Sequence, residues 1–194
     1  TDIPTKQAAA AVGQCELMYI YDKLFGDYHH TVAQLLITGD DVKNEQRHQN
    51  FSNTLGKLLE LGALPILNEN DTVATDEIVI GDNDTLAAIV AESVRADLLI
   101  LLSDIDGLYT ADPHRNPDAK RLTHVPALTE EVYALAGVSA SSQGTGGMVT
   151  KLQAAKICLD AGCAMVIANG NQPENLYDIL DGKPVGTLFG EVSL

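Results

Sequence analysis

The chain has 194 residues, of which 45% are hydrophobic and 20% are charged, a composition typical of a folded globular protein. Its formal net charge of −15 argues against nucleic acid or an anionic membrane as a general partner. No apolar run approaches the ~20 residues needed to span a bilayer. An anionic small substrate would therefore need a local cluster of donors within an acidic surface.

Hydrophobic periodicity predicts helices and strands in alternation. Predicted helices cover residues 3–25, 40–61, 129–136, 148–161 and 174–180, with a further helix opening at 82–84. Predicted strands cover residues 31–37, 64–67, 98–102, 164–168 and 186–189. Asp40 or Asp41 is the expected N-cap of the second helix, and the unbroken apolar run at 98–102 is typical of a strand buried on both faces. This alternation predicts one α/β domain over residues 1–194, with helices on both sides of a mainly parallel sheet.

The three cysteines are Cys15, Cys158 and Cys163, an odd number with no Cys-x-x-Cys spacing. This pattern favours free thiols in a reducing cytoplasm over a disulfide framework or a zinc site. Because the chain opens on Thr1 without a charged and then apolar leader, we expect no secretory signal.

Polar residues cluster where three predicted strands end, at 68–71, 103–106 and 169–171. In parallel sheets ligands bind beyond the carboxyl ends of the strands. We therefore expect these clusters at one edge of the sheet, around a binding site.

A glycine-rich segment, residues 144–151, leads directly into a predicted helix. Its glycines allow tight turns and close backbone approach, and a helix start directs N–H groups and a positive dipole at one point. Lys151 adds a full positive charge, so the segment suits a phosphate group. It matches neither of the standard nucleotide-binding glycine motifs, and a flexible surface loop before an ordinary helix is the alternative.

The acidic and amide residues suggest a second ligand. Asp71 can hold an ammonium group and Asn83 can donate to a carboxylate, which together suit a free amino acid. Helix capping by Asp82 or Asn83 is the simpler alternative. Asp84 would lie in a first helical turn, and Ser103 with Asp104 could contact a nucleotide, hold a metal ion through water, or only form a turn.

Four motifs occur in the order found in one enzyme family. They are Asn68-Glu69-Asn70-Asp71, Gly81-Asp82-Asn83-Asp84, Leu102-Ser103-Asp104 with Gly107-Leu108-Tyr109-Thr110-Ala111-Asp112-Pro113, and Gly144-Thr145-Gly146-Gly147-Met148 with Thr150-Lys151-Leu152-Gln153-Ala154-Ala155. Together with the closing Val185-Gly186-Thr187-Leu188-Phe189, they resemble the glutamate 5-kinases of the amino-acid kinase family.

The resemblance implies a three-layer α/β/α fold and transfer of the ATP γ-phosphoryl group to the side-chain carboxylate of L-glutamate, in proline biosynthesis. It also implies Mg²⁺ with the ATP, proline as a feedback inhibitor, and a cytoplasmic homo-oligomer, either dimer or tetramer. By the family pattern Asp71 and Asn83 bind glutamate, while Lys151 and Asp84 are catalytic. The implied nucleotide-binding residues are Ser103, Asp104, Thr145, Gly146, Gly147, Met148, Val149, Thr150 and Lys151. No protein side chain is assigned to a metal.

The 194 residues lack two features of the family. They contain neither its N-terminal Lys-x-Gly-Ser/Thr and Ser-Gly-Ala segments nor its C-terminal RNA-binding-like domain. We therefore expect an N-terminally incomplete kinase domain without the first strands. The alternatives are a sibling kinase acting on N-acetylglutamate, aspartate, carbamate or a nucleoside monophosphate, and a non-catalytic module that binds an amino acid.

Overall fold

Helices and strands alternate along most of the chain, as its hydrophobic periodicity predicts. The computed structural model describes residues 2–73, 82–113, 115–138 and 147–192. They form two units, Thr1–Asn83 and Asp84–Leu194. The single domain expected over residues 1–194 stays a prediction.

The first unit is built on two parallel strands. Its elements are α1 (Ile3–Gly26), β1 (Val32–Ile37), α2 (Gly39–Lys43), α3 (Glu45–Glu60) and β2 (Leu64–Glu69). Val32 lies opposite Leu64 and Ile37 opposite Glu69 in the parallel β1–β2 pair. The buried apolar residues described in this unit are Ile37, Phe51 and Leu55. Because α3 places residues four apart on one face, Phe51 and Leu55 both turn inward.

The prediction of one helix from Asp40 or Asp41 to residue 61 is wrong, because Asn44 interrupts it. Asn44 has an extended backbone, and its side-chain oxygen accepts a hydrogen bond from the Arg47 N–H at 3.0 Å, which caps α3. The N-cap of α2 is Thr38 rather than an aspartate. Its hydroxyl accepts from the Asp41 N–H, while the Asp41 carboxylate accepts from the Thr38 N–H at 2.8 Å. Burial favours a raised pKa for Asp41, but the hydrogen bonds from Thr38 and the charge of Arg47 outweigh it and lower that pKa.

The second unit contains a four-stranded sheet in the order β3-β5-β6-β4. Its elements are α4 (Asn83–Val94, from the last residue of the first unit), β3 (Leu98–Ser103), β4 (His124–Val125), α5 (Glu130–Val138), α6 (Met148–Asp160), β5 (Ala164–Asn169), α7 (Asn175–Leu180) and β6 (Thr187–Phe189). β5 pairs in parallel with β3 and antiparallel with β6, and β6 pairs in parallel with β4. The predicted α/β class with mainly parallel strands is confirmed.

The core of the second unit lies between α6 and the sheet. Leu108, Leu152, Met165, Ile167 and Phe189 are fully buried there. Each such side chain contributes about 1.5–3 kcal/mol relative to an exposed position. β5 is the strand that is buried on both faces. The same prediction for β3 is wrong, since Leu101 is buried but its neighbour Leu102 is 45% exposed.

None of the helices in the described part of the chain combines the length and apolar content needed to cross a membrane.

Candidate active site

Helix α6 is the helix whose N-terminus is predicted to bind phosphate, and the positive end of its dipole lies there. Gly147 is its N-cap and has an extended backbone, so no side chain of the cap residue occupies the N–H groups of the first turn. Met148 and Leu152 anchor the helix in the core, and Gly162, with φ +76°, follows its end. Thr145 and Gly146 lie outside the described residues.

Lys151 and Asp84 form an ion pair at this helix start. The Lys151 Nζ donates to the Asp84 Oδ2 at 2.9 Å, and the two side chains are 8% and 21% exposed. The Thr150 hydroxyl lies 3.1 Å from the same carboxylate oxygen and 2.8 Å from the Gly147 carbonyl oxygen. The two residues predicted to be catalytic are thus in direct contact, although 67 positions separate them in the chain.

Lys151 is buried and is therefore not an ordinary solvated helix residue. Only 7% of the residue is exposed, whereas Val149, two positions earlier, is 48% exposed. An ammonium group has three N–H donors, and the Asp84 contact uses one of them. The remaining donors of Lys151 lie near the positive end of the helix dipole, an arrangement suited to the oxygens of a phosphate.

Two of the three predicted polar clusters meet at the carboxyl ends of β3 and β5. Ser103 lies opposite Asn169 in the parallel register, and the Gly170 N–H donates to the Ser103 carbonyl at 2.7 Å. The Ser103 hydroxyl donates to the Asp104 carboxylate at 3.0 Å, and Asp104 is exposed. The prediction that these clusters share one sheet edge is correct for this pair of strands.

A cavity of about 340 Å³ opens at the same edge. It is lined by Asp106, Arg121, Asn169, Gln172, Asn175, Pro184, Val185 and Gly186. Its volume lies in the range of small-molecule pockets, roughly 300–1,000 Å³. Its polar groups are mainly amides, with one carboxylate and one guanidinium.

The charged wall of the cavity is an Asp106–Arg121 ion pair. The Arg121 Nη1 lies 3.2 Å from the Asp106 Oδ2, and the Tyr109 hydroxyl lies 2.9 Å from the Asp106 Oδ1. Burial, together with the hydrogen bond to Asp106 and its negative charge, raises the pKa of Tyr109. The phenol therefore stays protonated at neutral pH and acts as a donor that holds the carboxylate in place.

The sequence did not predict Arg121, Gln172 or Asn175 as cavity residues. Arg121 falls in a turn-rich segment in which no periodicity indicates a role. Gln172 and Asn175 directly follow the predicted 169–171 cluster, so extending that cluster would have found them.

The residues predicted to bind an amino acid lie in the first unit. Asp71 is in the turn that follows β2, Asn83 is the first residue of α4, and both are exposed. Among the described residues, no hydrogen bond joins Asp71 to Asn83. Asn68, at the end of β2, is already engaged, because its amide donates to the Gln14 side chain of α1 at 3.0 Å.

The structure contains no protein-only metal centre within the ranges described. No group of three or more His, Cys, Asp or Glu side chains there could hold an ion. All three cysteines are free, and burial raises the pKa of Cys158 to about 12, which leaves it an inert core thiol.

The comparisons with known proteins identify the family to which this fold and site belong. The sequence pattern of the Amino acid kinase family matches residues 1–169. The chain belongs to that family.

Within that family, the curated relatives most similar in sequence include several glutamate 5-kinases. The glutamate 5-kinase of Clostridium perfringens is 53% identical over 191 residues, which are 96% of this chain and 71% of that protein. The glutamate 5-kinase of Rhodospirillum rubrum is 58% identical over 177 residues, which are 91% of this chain and 47% of that protein. The chain thus spans between about half and seven-tenths of the length of these relatives. The predicted resemblance to the glutamate 5-kinases is confirmed.

Solved structures show the same fold at low identity. Carbamate kinase from Giardia lamblia bound to AMP-PNP is similar with a TM-score of 0.66 and 16% identity, covering 97% of this chain and 78% of that one. The predicted amino-acid kinase fold is therefore confirmed.

Proposed function

We propose that this chain contains the catalytic and binding residues of a glutamate 5-kinase, the enzyme that catalyses the first step of proline synthesis. The reaction transfers the γ-phosphoryl group of ATP to the side-chain carboxylate of L-glutamate, giving L-glutamyl 5-phosphate and ADP. Relatives at about 50% identity support this activity. The observation that carries it is the buried Lys151–Asp84 pair at an uncapped helix start.

In the proposed reaction an oxygen of the glutamate side-chain carboxylate attacks the γ-phosphorus, and the bond from that phosphorus to the β–γ bridging oxygen breaks. The carboxylate is ionised at neutral pH, so the attack needs no general base. The task of the protein is then positioning and charge stabilisation. Lys151 donates to oxygens of the moving phosphoryl group, and Asp84 with Thr150 fixes the direction of its Nζ.

The ATP-binding residues are those at the start of α6 and at the end of β3. Residues 145–151 hold the phosphates, and Ser103 and Asp104 lie where β3 ends. The neighbouring cavity takes the nucleoside, because its amide and carboxylate groups can bond both the base and the ribose hydroxyls. In this arrangement the phosphates and the nucleoside use two adjoining parts of one sheet edge.

Asp71 and Asn83 bind glutamate in this proposal. Their side chains are exposed, so the carboxylate of Asp71 can pair with the substrate ammonium group and the amide of Asn83 can donate to its α-carboxylate. The same pairing would accept the ammonium and carboxylate of proline, and we propose proline as an inhibitor at this site.

The donor set also fits Mg²⁺ that enters with the nucleotide. Magnesium in kinases is held by one or two protein groups and by phosphate oxygens rather than by an all-protein cage. The exposed carboxylate of Asp104, which accepts from Ser103, is available for this at the end of β3. When bound, the ion neutralises phosphate charge.

The activity is tested with the full chain, ATP, Mg²⁺ and one acceptor at a time. ADP release is followed by a coupled assay, and hydroxylamine traps the acyl phosphate as a hydroxamate. The proposal expects both signals with L-glutamate, and much weaker ones with N-acetylglutamate, aspartate, carbamate or a nucleoside monophosphate. Preference for one of those acceptors identifies a sibling kinase. Glutamate binding without ADP release identifies a non-catalytic module.

A further inference from the structure

Thr187, at the start of β6, has a fully buried hydroxyl that forms two hydrogen bonds. It accepts from the Leu108 N–H at 2.8 Å and donates to the Leu122 carbonyl at 2.5 Å. These partners lie 79 and 65 positions away in the sequence. One side chain therefore joins β6 to two segments that lie far from it in the sequence.

Each of the three segments supplies a residue of the cavity wall immediately next to the Thr187 bonds. Asp106 precedes Gly107 and Leu108, Arg121 precedes Leu122, and Gly186 precedes Thr187 itself. Thr187 itself is fully buried and is not among the residues that line the cavity.

The two glycines beside these bonds show how closely the segments approach. A Cβ at Gly107, where φ is +148°, would lie 2.4 Å from the Thr187 Oγ1 and 3.0 Å from the Arg121 Cδ. A Cβ at Gly186, where φ is +71°, would lie 2.0 Å from the Ile167 carbonyl oxygen. The segments at Leu108 and Leu122 are also joined to each other, since the Leu122 N–H donates to the Leu108 carbonyl at 2.8 Å. The contacts at the two glycines leave little free space, so the hydroxyl of Thr187 holds this pair of segments closely against the start of β6.

We propose that Thr187 is a positioning residue for the nucleotide: its buried hydroxyl holds the segments that carry Asp106 and Arg121 against β6, so that their ion pair forms one wall of the cavity. The inference rests on the proposed function, because it takes the cavity to be the nucleoside site. Without the hydroxyl, the Leu108 N–H and the Leu122 carbonyl are left unpaired in a buried place. The two segments then move away from β6 until water reaches these groups, and the geometry of the ion pair in the cavity wall is lost.

The test measures ADP binding to the full chain by calorimetry. Thr187→Val keeps the shape of the side chain but removes the hydroxyl, and Thr187→Ser keeps the hydroxyl. We expect roughly tenfold weaker ADP binding for the valine variant, on the scale of one buried hydrogen-bonded group, and near-normal binding for the serine variant. Thr110→Val is the matched control, because the Thr110 hydroxyl bonds the Lys120 N–H at 3.0 Å between the same two segments but does not line the cavity. Its ADP affinity should be unchanged.

A second variant separates positioning from general stability. In an Arg121→Met background the ion pair is already absent, so Thr187→Val should weaken ADP binding little further. In steady-state kinetics the single variant Thr187→Val should show a raised KM for ATP, a nearly normal kcat and an unchanged KM for glutamate. If Thr187→Val melts below the assay temperature, Arg121→Met alone must weaken ADP binding to a similar degree, and unchanged affinity in that variant overturns the inference.

The outcomes also distinguish this inference from the proposed function. If the unmodified chain binds ADP and folded Thr187→Val binds it equally well, the positioning role is overturned while the nucleotide site stands. If the unmodified chain does not bind ADP, both are overturned.

Discussion

Replacing Lys151 with alanine removes the ammonium group that the proposed mechanism places on the moving phosphoryl group. Lys151 is held at 2.9 Å from Asp84 and is almost fully buried, so its donors are fixed in direction before ATP arrives. Losing one such preorganised donor typically lowers kcat by about 10²–10³-fold. We expect this loss with a much smaller change in the KM for ATP, because the stabilisation is greatest when charge develops on the phosphoryl oxygens.

The same substitution has a modest cost in stability. Asp84 keeps the Thr150 hydroxyl at 3.1 Å and is 21% exposed, so water can solvate its carboxylate. We expect the free energy of unfolding to fall by about 1.5–3 kcal/mol, the scale of one charged hydrogen bond lost. Lys151→Arg should restore activity only partly, because a planar guanidinium does not present the same compact charge.

Lys156→Ala is the matched control, since Lys156 lies on the same helix but pairs with Asp160 in solvent. Exposed ion pairs contribute little, so both kcat and the melting temperature of this variant should stay close to normal. Steady-state kinetics and thermal melts are recorded on all three variants. A folded Lys151→Ala protein with near-normal kcat would refute the catalytic role.

Three further perturbations probe other parts of the chain. Asp71→Ala should abolish glutamate binding in calorimetry with little change in ADP affinity, because the carboxylate that pairs with the substrate ammonium is lost; unchanged glutamate affinity rules out the assignment. Proline should raise the KM for glutamate without lowering the maximal rate, and purely noncompetitive inhibition contradicts a shared site. Thr38→Ala should lower the free energy of unfolding in urea by about 1 kcal/mol through loss of the α2 cap. Folding lowers the pKa of the Asp41 carboxyl. The stability that its hydrogen bonds with Thr38 contribute is therefore fully present above the pKa of the unfolded state, and it is lost as the pH falls through the pKa of the folded state. The loss of stability caused by Thr38→Ala should accordingly be smaller in acid.

Long periodic elements could be predicted from sequence, whereas their interruptions could not. The helix predicted over 3–25 is α1, Ile3–Gly26. The helix predicted over 40–61 divides at Asn44, whose side chain starts a new helix at the expense of a continuous hydrogen-bond ladder. Strand β4 has two residues and no period to detect. It exists because its backbone bonds to β6, a contact between distant parts of the chain.

The site shows the same division between local and remote information. Asp84 and Lys151 could be predicted one by one, since each stands in a recognisable motif at a helix start. Arg121 could not, because its position in the cavity wall depends on Asp106 and on a hydroxyl 65 positions from its neighbour Leu122. The sequence specifies such contacts only through the completed fold.

The location of Lys151 is itself an argument for ligand binding. A cation at a helix start opposes the helix dipole, and burial adds a desolvation cost, so neither term favours a lysine there. Asp84 offsets part of this cost, but a buried ion pair is seldom more stabilising than apolar residues of the same size. If Lys151 and Asp84 served only stability, apolar residues in their place would make the fold more stable. A ligand that brings negative charge changes the balance, because it interacts favourably with both the helix dipole and the remaining donors of Lys151 at one point.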